Sequence, residues 1–428
     1  MEIIADLEVH SKYSRAVSSQ MTIPTISGYA AKKGIDLVGT GDFTHPMWLK
    51  EIETNLTEAG EGIYRCINSN SKSLFLLTSE ISCIYSDKGK TRRVHILVYL
   101  PNIQKVKSFN SELLKRNANL VSDGRPIVGL SLKQIAQMAL EIDSHALLIP
   151  AHAWTPWFGL YGAMSGYDLL SEAFGDLEKY IPAIETGLSS SPAMNWRIKE
   201  LERRSIVSFS DAHSPARLGR EATVFELDGV NYENIYDAVK NQKIAYTIEF
   251  YPEEGKYHYS GHRNCKVVYS PEDIKSKGNA CPICGKGLTG GVMARVDELG
   301  GVKIEKKTER DEFGVKWIGD KKEKRPGYVM LVPLIEIISE SLGVGVGSKK
   351  VNDIYELLIN QLGSEFEVLL KTPIEEIKRI FDPKIAEGIE RVRRGDIVIE
   401  PGYDGVFGKV KIWKDKDSVS TPSQTSLF

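Results

Sequence analysis

Short apolar runs alternate with helical patterns over the first 245 residues of the chain. The runs predict strands near residues 3–9, 35–40, 74–81, 93–99, 146–152, 182–187 and 205–211. Helical periodicity separates several of them, as in ISGYAAKKG, LSLKQIAQMALEID and PAMNWRIKELERR. Because strands that alternate with helices form mainly parallel sheets, we predict an α/β fold in which seven strands close a barrel.

The pattern changes after residue 248. Residues 256–292 are rich in Gly and contain three cysteines, and helical patterns such as VNDIYELLINQLG follow a charged stretch at 303–325. We therefore predict a barrel over 1–248, a zinc-binding domain over 249–300, a helical C-terminal domain with a basic linker over 301–413, and a flexible polar tail over 414–428.

Imidazole and carboxylate side chains follow the apolar runs of the predicted barrel. The nine residues are Glu8, His10, Asp42, His45, Glu80, His95, His152, Asp211 and His213. The carboxyl ends of parallel barrel strands converge on one face. One such residue alone is ordinarily a hydrogen-bonded structural residue, but nine residues of the types that bind divalent metals predict a shared metal site.

The motifs DLEVH, GDFTH, PAHAW and SDAHS, with Glu80 and His95, resemble those of the polymerase and histidinol phosphatase (PHP) superfamily. The resemblance covers about residues 1–245 and implies a distorted seven-stranded barrel, phosphoester hydrolysis, and two or three divalent metals (Zn, Mn or Mg). We expect His10, Glu80, His95 and Asp211 at the centre of the cluster, with His10, Glu80 and Asp211 as catalytic residues. The superfamily's first motif usually has His where this chain has Glu8, which leaves the metal preference open.

Two knuckles with two-residue spacing lie in the cysteine-rich segment. They are His262-x2-Cys265 and Cys281-x2-Cys284, and His258 is a rival for the fourth ligand position. Four protein ligands with this spacing are typical of a structural zinc site, which stabilises a segment too small to bury its own core. The alternative is two unrelated turns that contain Cys.

The order of barrel, zinc segment, helical region and terminal QTSLF resembles the endonuclease Q family over nearly the full length. The resemblance implies a DNA repair endonuclease that nicks the strand on the 5′ side of uracil, hypoxanthine, xanthine and abasic sites. One alternative is a small-molecule phosphoesterase of the PHP superfamily, which has little use for the added regions. The other is a non-catalytic, clamp-tethered DNA-binding scaffold. The presence of all nine ligand-type residues argues against this alternative, because a site without a function would be expected to lose several of them.

Two loops after predicted strands offer DNA contacts. The residues are Trp154, Trp157, Phe158 and Tyr161 in AWTPWFGLYG, and Ser190, Asn195 and Arg197 in GLSSSPAMNWR. Aromatic rings can stack on an extruded base, and hydroxyl, amide and guanidinium groups can hold phosphates. Ordinary packing of the rings and capping of the helix at Pro192 are the structural alternatives. Arg391, Arg393 and Arg394 are further candidates for phosphate contact.

Charge and the termini complete the expectations. With 55 basic and 57 acidic residues, DNA must be held by local basic patches rather than by net charge. The N-terminus resembles no signal peptide and no apolar run is long enough to span a bilayer, so we expect a cytoplasmic protein. Gln424, Leu427 and Phe428 resemble a shortened sliding-clamp-binding peptide.

Overall fold

A computed structural model describes residues 1–414 of the chain. The predicted clamp-binding residues Gln424, Leu427 and Phe428 lie outside the described residues. The fold is mixed α/β with a helical C-terminal region, as the sequence predicted, and it contains a large sheet. A search of the described helices finds none that is both long and apolar enough to cross a membrane.

The first 249 residues hold thirteen strands and seven α-helices. In chain order they are β1 (Glu2–Asp6), α1 (Ile23–Lys33), β2 (Leu37–Gly39), α2 (Pro46–Asn55), β3 (Leu56–Gly60), β4 (Ile63–Cys66), β5 (Leu74–Leu76), β6 (Thr78–Asp87), β7 (Lys90–Tyr99), α3 (Ile103–Lys115), β8 (Ile127–Val128), α4 (Leu132–Ile142), β9 (Leu147–Pro150), α5 (Leu170–Phe174), β10 (Ala183–Glu185), α6 (Pro192–Asn195), β11 (Ser205–Val207), β12 (Ala222–Glu226), α7 (Tyr232–Lys240) and β13 (Ile244–Glu249). All seven predicted strands have a counterpart among them.

The remaining described residues begin with a small hairpin and end in a helical region followed by a second hairpin. The elements are β14 (Ser260–His262), β15 (Val267–Tyr269), α8 (Pro271–Lys277), α9 (Val292–Leu299), β16 (Lys306–Arg310), β17 (Lys316–Asp320), β18 (Gly327–Met330), α10 (Leu334–Leu342), α11 (Lys349–Leu362), α12 (Glu365–Leu370), α13 (Ile374–Ile380), α14 (Pro383–Arg394), β19 (Val398–Glu400) and β20 (Lys409–Lys411).

Hydrogen bonding divides the strands of residues 1–414 into separate sheets. The largest has ten strands in the order β16-β17-β18-β13-β12-β1-β2-β5-β4-β3, and a second has the order β8-β6-β7-β9. Strands β10 and β11 form a parallel pair of their own. These pairings do not by themselves close a ring, so the seven-stranded barrel stays a prediction.

One apolar core nevertheless joins the strands that the sequence predicted. Its buried side chains come from all of them and include Ala5, Leu37, Leu76, Leu97, Ile149, Ala183 and Val207. Because side chains alternate between the two faces of a strand, the neighbouring residues of each strand point away from this core, towards the surrounding helices. The shared core holds the ends of the strands close to one another.

Two segments differ from the prediction. The charged stretch at 303–325 forms strands β16, which is mostly exposed, and β17, which is mostly half-buried. Strand β18 then joins the stretch to β13 in parallel register. The helix predicted over residues 192–204 is reduced to α6 and a single 3-10 turn at 199–201. It is interrupted because the Asn195 amide turns back to Ser190 Oγ and the Ser191 carbonyl.

Buried charges attach the helical region to the first region. Lys33 Nζ at the end of α1 lies 2.7 Å from Glu365 Oε2 at the start of α12, and both side chains are buried. Within the helical region, the guanidinium of Arg393 donates to the carbonyls of Leu369, Val368, Thr372 and Phe313. Arg393 is therefore a structural residue, and the prediction that it contacts phosphate is wrong.

Candidate functional site

The nine predicted ligand residues all lie at one end of the shared core. Most follow a strand of the first region directly, but two lie within strands, Glu80 near the start of β6 and His95 midway along the antiparallel partner β7. The backbone is unusual at three of the nine positions, because Asp42, His152 and Asp211 have positive φ values of 49°, 29° and 47°. Non-glycine residues in this region carry strain that is characteristic of functional sites.

His10 is surrounded by three carboxylates. Its Nδ1 lies 3.0 Å from Asp42 Oδ1, and its Nε2 lies 3.1 Å from both Glu80 Oε2 and Asp211 Oδ1. Asp42 also accepts hydrogen bonds from the Ser11 backbone N–H and the Ser14 hydroxyl. Asp42 thus orients the His10 ring, whose Nε2 faces Glu80 and Asp211.

The second carboxylate oxygen of Glu80 faces two more imidazoles. Glu80 Oε1 contacts His95 Nδ1, and it lies 3.1 Å from His152 Nε2. The two imidazole nitrogens are themselves 3.1 Å apart. Glu80 therefore stands between His10 on one side and the pair of histidines on the other.

Three overlapping groups of side chains have ligand atoms within 4.8 Å of one another. They are His10, Asp211 and His213; Glu80, His95 and His152; and Glu8, Glu80 and Asp211. Seven of the nine predicted residues are brought together in this way. The other two, Asp42 and His45, belong to none of these groups: Asp42 holds His10, and the His45 ring stacks on Tyr13 at 4.5 Å.

Glu8 and Asp211 have opposite electrostatic environments. Burial, the like charges of Glu185, Asp211 and Glu80, and a hydrogen bond that protonated Glu8 shares with Glu185 raise the pKa of Glu8 well above its usual range. No donor among the described residues reaches either of its buried oxygens. Burial also acts to raise the pKa of Asp211, but the hydrogen bond from His10 and the charges of His10 and His213 lower it to about 2. An unpartnered buried carboxylate beside other carboxylates fits a site that holds cations.

Two residues at this site were missed by the sequence reasoning. Glu185, at the end of β10, is buried and accepts a hydrogen bond from the His152 backbone N–H at 2.7 Å. Arg125 places Nη1 3.0 Å from Glu80 Oε2. The strand-like segment PAIE could have identified Glu185, whereas nothing in the loop SDGRP distinguishes Arg125 from any surface arginine.

A cleft of about 560 Å³ opens onto the cluster. His95, His152 and Asp211 lie in its floor, and its walls include Arg125, Trp157 and Phe158. Residues 255–258, which precede the zinc segment's hairpin, and Phe407 from the C-terminal hairpin also line the cleft. The cleft therefore brings together three regions of the chain.

Four of the seven predicted DNA-contact residues are corrected by the structure. Trp154, Tyr161, Ser190 and Asn195 are buried. Trp154 Nε1 donates to Asn195 Oδ1, and the Tyr161 hydroxyl donates to Glu200 Oε1. Apolar burial with satisfied polar atoms leaves these side chains no surface to offer to DNA.

The other three predicted DNA-contact residues keep some exposure. Trp157 and Phe158 are half-buried and line the cleft, with the Trp157 ring edge-on to Tyr257 at 5.2 Å. Arg197 forms an ion pair with Asp297 on α9 and lines a neighbouring cavity. Of the predicted aromatic loop, only Trp157 and Phe158 can therefore reach a ligand in the cleft without a rearrangement.

The predicted zinc ligands converge in the segment around β14 and β15. His262, Cys265, Cys281 and Cys284 offer ligand atoms within 4.8 Å of one another. The Cys281 turn is closed by hydrogen bonds from Cys281 N to the Lys286 carbonyl and from Gly285 N to the Cys281 carbonyl. Against the effect of burial, hydrogen bonds from the Cys284 backbone and His262 lower the pKa of Cys281 to about 6, which favours the thiolate that metals bind. His258 is not in the group and lies instead in the wall of the cleft.

Comparisons with other sequences cover the whole chain. Residues 333–396 match the model of the MJ0043 C-terminal domain family. The chain is 30% identical to the uncharacterized protein YqxK of Bacillus subtilis, in an alignment 428 positions long that covers 96% of this chain and 99% of that protein. It is 35% identical over 292 residues to the uncharacterized protein MJ0043 of Methanocaldococcus jannaschii, covering 66% of this chain but only 34% of that protein, so it spans about a third of that relative.

Two solved structures are similar to this one along nearly the entire chain. The lesion-specific endonuclease PfuEndoQ from Pyrococcus furiosus has a TM-score of 0.81 and 35% identity, covering 98% of this chain and 99% of that one. An endonuclease Q in complex with a 27-mer duplex substrate, with an abasic lesion at the active site, has a TM-score of 0.81 and 36% identity over 97% of each chain. The chain therefore belongs to the endonuclease Q family.

Proposed function

We propose that the protein is a metal-dependent DNA repair endonuclease. The observation that carries this proposal is the cluster of His10, Glu80, His95, His152 and Asp211, of which His95, His152 and Asp211 line an open cleft. The full-length similarity to an endonuclease Q bound to duplex DNA with an abasic lesion supports DNA as the substrate. The common apolar core supports a distorted PHP-type barrel as the scaffold that presents the cluster.

The residues present fit two or three divalent metals such as Zn, Mn or Mg. No hydrogen-bond donor of the described residues reaches the buried oxygens of Glu8, and Glu80 faces histidines on both sides. Bound metals supply an activated water and neutralise charge on phosphoryl oxygens. The chain's own part is to position: Asp42 fixes the His10 ring, and the Glu185 carboxylate holds the His152 backbone. We assign His10, Glu80 and Asp211 as the catalytic residues.

We further propose that the lesions include uracil, hypoxanthine and xanthine as well as abasic sites, and that the nick lies on their 5′ side. Uracil and hypoxanthine carry a carbonyl where cytosine and adenine carry an amine. One pocket that donates a hydrogen bond therefore accepts both deaminated bases and leaves an amine unpaired. Trp157 and Phe158, at the cleft wall, are the rings placed to contact the lesion strand.

Lesion specificity is tested with labelled duplexes that carry uracil, hypoxanthine, xanthine, an abasic site or no lesion, with Mg²⁺ or Mn²⁺ present. We expect a single nick 5′ of each lesion and none in the undamaged duplex. Trp157→Ala should weaken binding to the lesion duplexes more than to the undamaged one, because the ring lines the cleft at the cluster. Equal weakening on all duplexes would contradict a base-reading role for Trp157.

Replacement of Asp211 by Asn should abolish cleavage in the same assay. The amide keeps the shape of the side chain but loses the negative charge that faces His10 Nε2 and the other ligands. Losing a group of the catalytic centre is expected to lower the rate by at least about 10²-fold. Asp176→Asn, which alters an exposed carboxylate paired with Lys133, is the matched control and should cleave normally. Normal turnover by Asp211→Asn would refute the assignment.

We propose one structural zinc at His262, Cys265, Cys281 and Cys284. A four-ligand closed site stabilises a segment whose own apolar cluster is small. Cys281→Ser should release about one zinc equivalent per chain, measured by elemental analysis, and residues 260–288 should gain amide hydrogen exchange before the first region does. Cys66→Ser, which changes a buried thiol outside the group, should keep the zinc. Unchanged zinc content in Cys281→Ser would exclude these four ligands.

We also propose that the C-terminal residues Gln424, Leu427 and Phe428 bind a ring-shaped sliding clamp. Two apolar side chains at the end of a polar segment support this, since burying them stabilises a complex by about 3–6 kcal/mol before the ordering cost. Deletion of residues 422–428 should leave cleavage of short oligonucleotides intact and remove clamp capture in a pull-down. Capture by the truncated chain would place the contact elsewhere.

A further inference from the structure

The arrangement of the proposed metal ligands does not explain the position of Arg125 in the cleft. Its guanidinium reaches the cluster from the loop between α3 and β8, and its Nη1 donates to Glu80 Oε2 at 3.0 Å. The side chain is 24% exposed, so it faces the cleft rather than the protein interior. Arg125 and the ligands His95, His152 and Asp211 line the same cleft. A fixed cation thus lies beside the proposed metal ligands on the side that a substrate enters.

The loop that carries Arg125 is anchored on both sides of the residue. On one side, Gly124 N donates to the Tyr13 carbonyl at 3.0 Å, and the Thr44 hydroxyl donates to the Gly124 carbonyl at 3.2 Å. On the other side, Ser82 N donates to the Pro126 carbonyl, and β8 then pairs with β6. Since β6 also carries Glu80, the guanidinium and the carboxylate are held by the same strand.

Gly124 shows how closely the loop approaches the cluster. A Cβ atom at this position would collide with the carboxylate of Asp42 and the hydroxyl of Ser14. Asp123 accepts hydrogen bonds from the backbone N–H groups of Arg15 and Arg125, which fixes the turn. The loop is therefore packed directly on the carboxylate that orients His10, and these contacts fix the backbone position of Arg125.

The guanidinium retains donors for a second acceptor. Within the described residues, the hydrogen bond from Arg125 to Glu80 uses Nη1 alone. A guanidinium carries five N–H donors in a planar fork that matches the oxygens of a phosphate. In phosphoryl transfer, a positioned arginine stabilises the negative charge that develops on the nonbridging oxygens. In the hydrolysis, the water oxygen forms a P–O bond, one bridging P–O bond breaks, and the leaving oxygen departs as a hydroxyl group after it accepts a proton. Negative charge on the nonbridging oxygens is greatest in the transition state of this exchange.

We propose that Arg125 binds a nonbridging oxygen of the scissile phosphodiester and acts as a catalytic residue beside the metal cluster. The proposal rests on the proposed function and names the group of the substrate that this residue recognises. A purely structural role, as a counter-charge for Glu80, makes a different prediction: removing the guanidinium would then disturb the metals rather than the reaction.

The test compares Arg125→Ala and Arg125→Lys with the wild type at saturating enzyme and metal, on a duplex with an abasic site. We expect Arg125→Ala to cut the single-turnover rate by about 10²–10³-fold with unchanged metal content by elemental analysis. Arg125→Lys should fall between, because an ammonium keeps the charge but not the fork. Arg116→Ala, an exposed arginine paired with Glu112 on the surface, is the matched control.

Chemical rescue separates the catalytic role from the structural one. Millimolar guanidinium chloride should restore part of the Arg125→Ala rate, whereas equal concentrations of urea or sodium chloride should not. A wild-type rate in Arg125→Ala would overturn the proposal. So would loss of metal in that variant with full recovery on adding excess metal ion, since this is the outcome of a counter-charge for Glu80.

A second substrate distinguishes this proposal from the proposed function. If the wild type fails to cleave damaged DNA but hydrolyses bis(4-nitrophenyl) phosphate, the DNA endonuclease assignment fails. The Arg125 comparison can then be made on that small phosphodiester with the same expected loss and rescue. Absence of hydrolysis of both substrates by the metal-loaded wild type would overturn both proposals.

Discussion

The concentration of carboxylates at one end of the shared core is the constraint on which the rest of the structure depends. Glu8, Glu80 and Glu185 are buried and Asp211 is half-buried, and they face one another across a few ångströms. Burying like charges together is costly unless cations or protons offset them. His10 and Arg125 supply part of that positive charge. No hydrogen-bond donor among the described residues reaches the oxygens of Glu8, and its raised pKa favours the protonated form. Bound metal ions would offset the negative charge of Glu8 without that proton.

Maintaining this arrangement requires rigidity around it. Three ligand-type residues at the site adopt positive φ, a conformation that persists only where the surroundings impose it. Those surroundings include the hydrogen bonds of Asp42 with Ser11 and Ser14, and the contact of Glu185 with the His152 backbone. The strain at the cluster is therefore offset by packing and hydrogen bonding in the elements behind it.

The sequence predicted the strands and the cluster well because both leave periodic or chemical signals. Apolar runs identify buried strands, and imidazoles or carboxylates that follow such runs are uncommon enough to be informative. Side-chain direction leaves no such signal, which is why Trp154 and Tyr161 were predicted at the surface although they are buried. Residue Arg125 was missed for a related reason: its role depends on a loop that returns to β6 from a distant part of the chain.

The segments beyond the first region also shape the cleft. The hairpin β16-β17 extends the large sheet through β18, although its mixed charges suggested a solvated linker. His258 and Tyr257, which precede the zinc-binding turns, form part of the cleft wall, and exposed Phe407 lies beside Lys256 at the rim. The zinc-binding turns follow the cleft wall directly in the chain, and backbone hydrogen bonds between Gly261 in β14 and Thr289 beyond the second knuckle hold the two ends of the zinc segment together. A structural zinc in that stretch would therefore stabilise the wall against which a substrate is held, in addition to the segment itself.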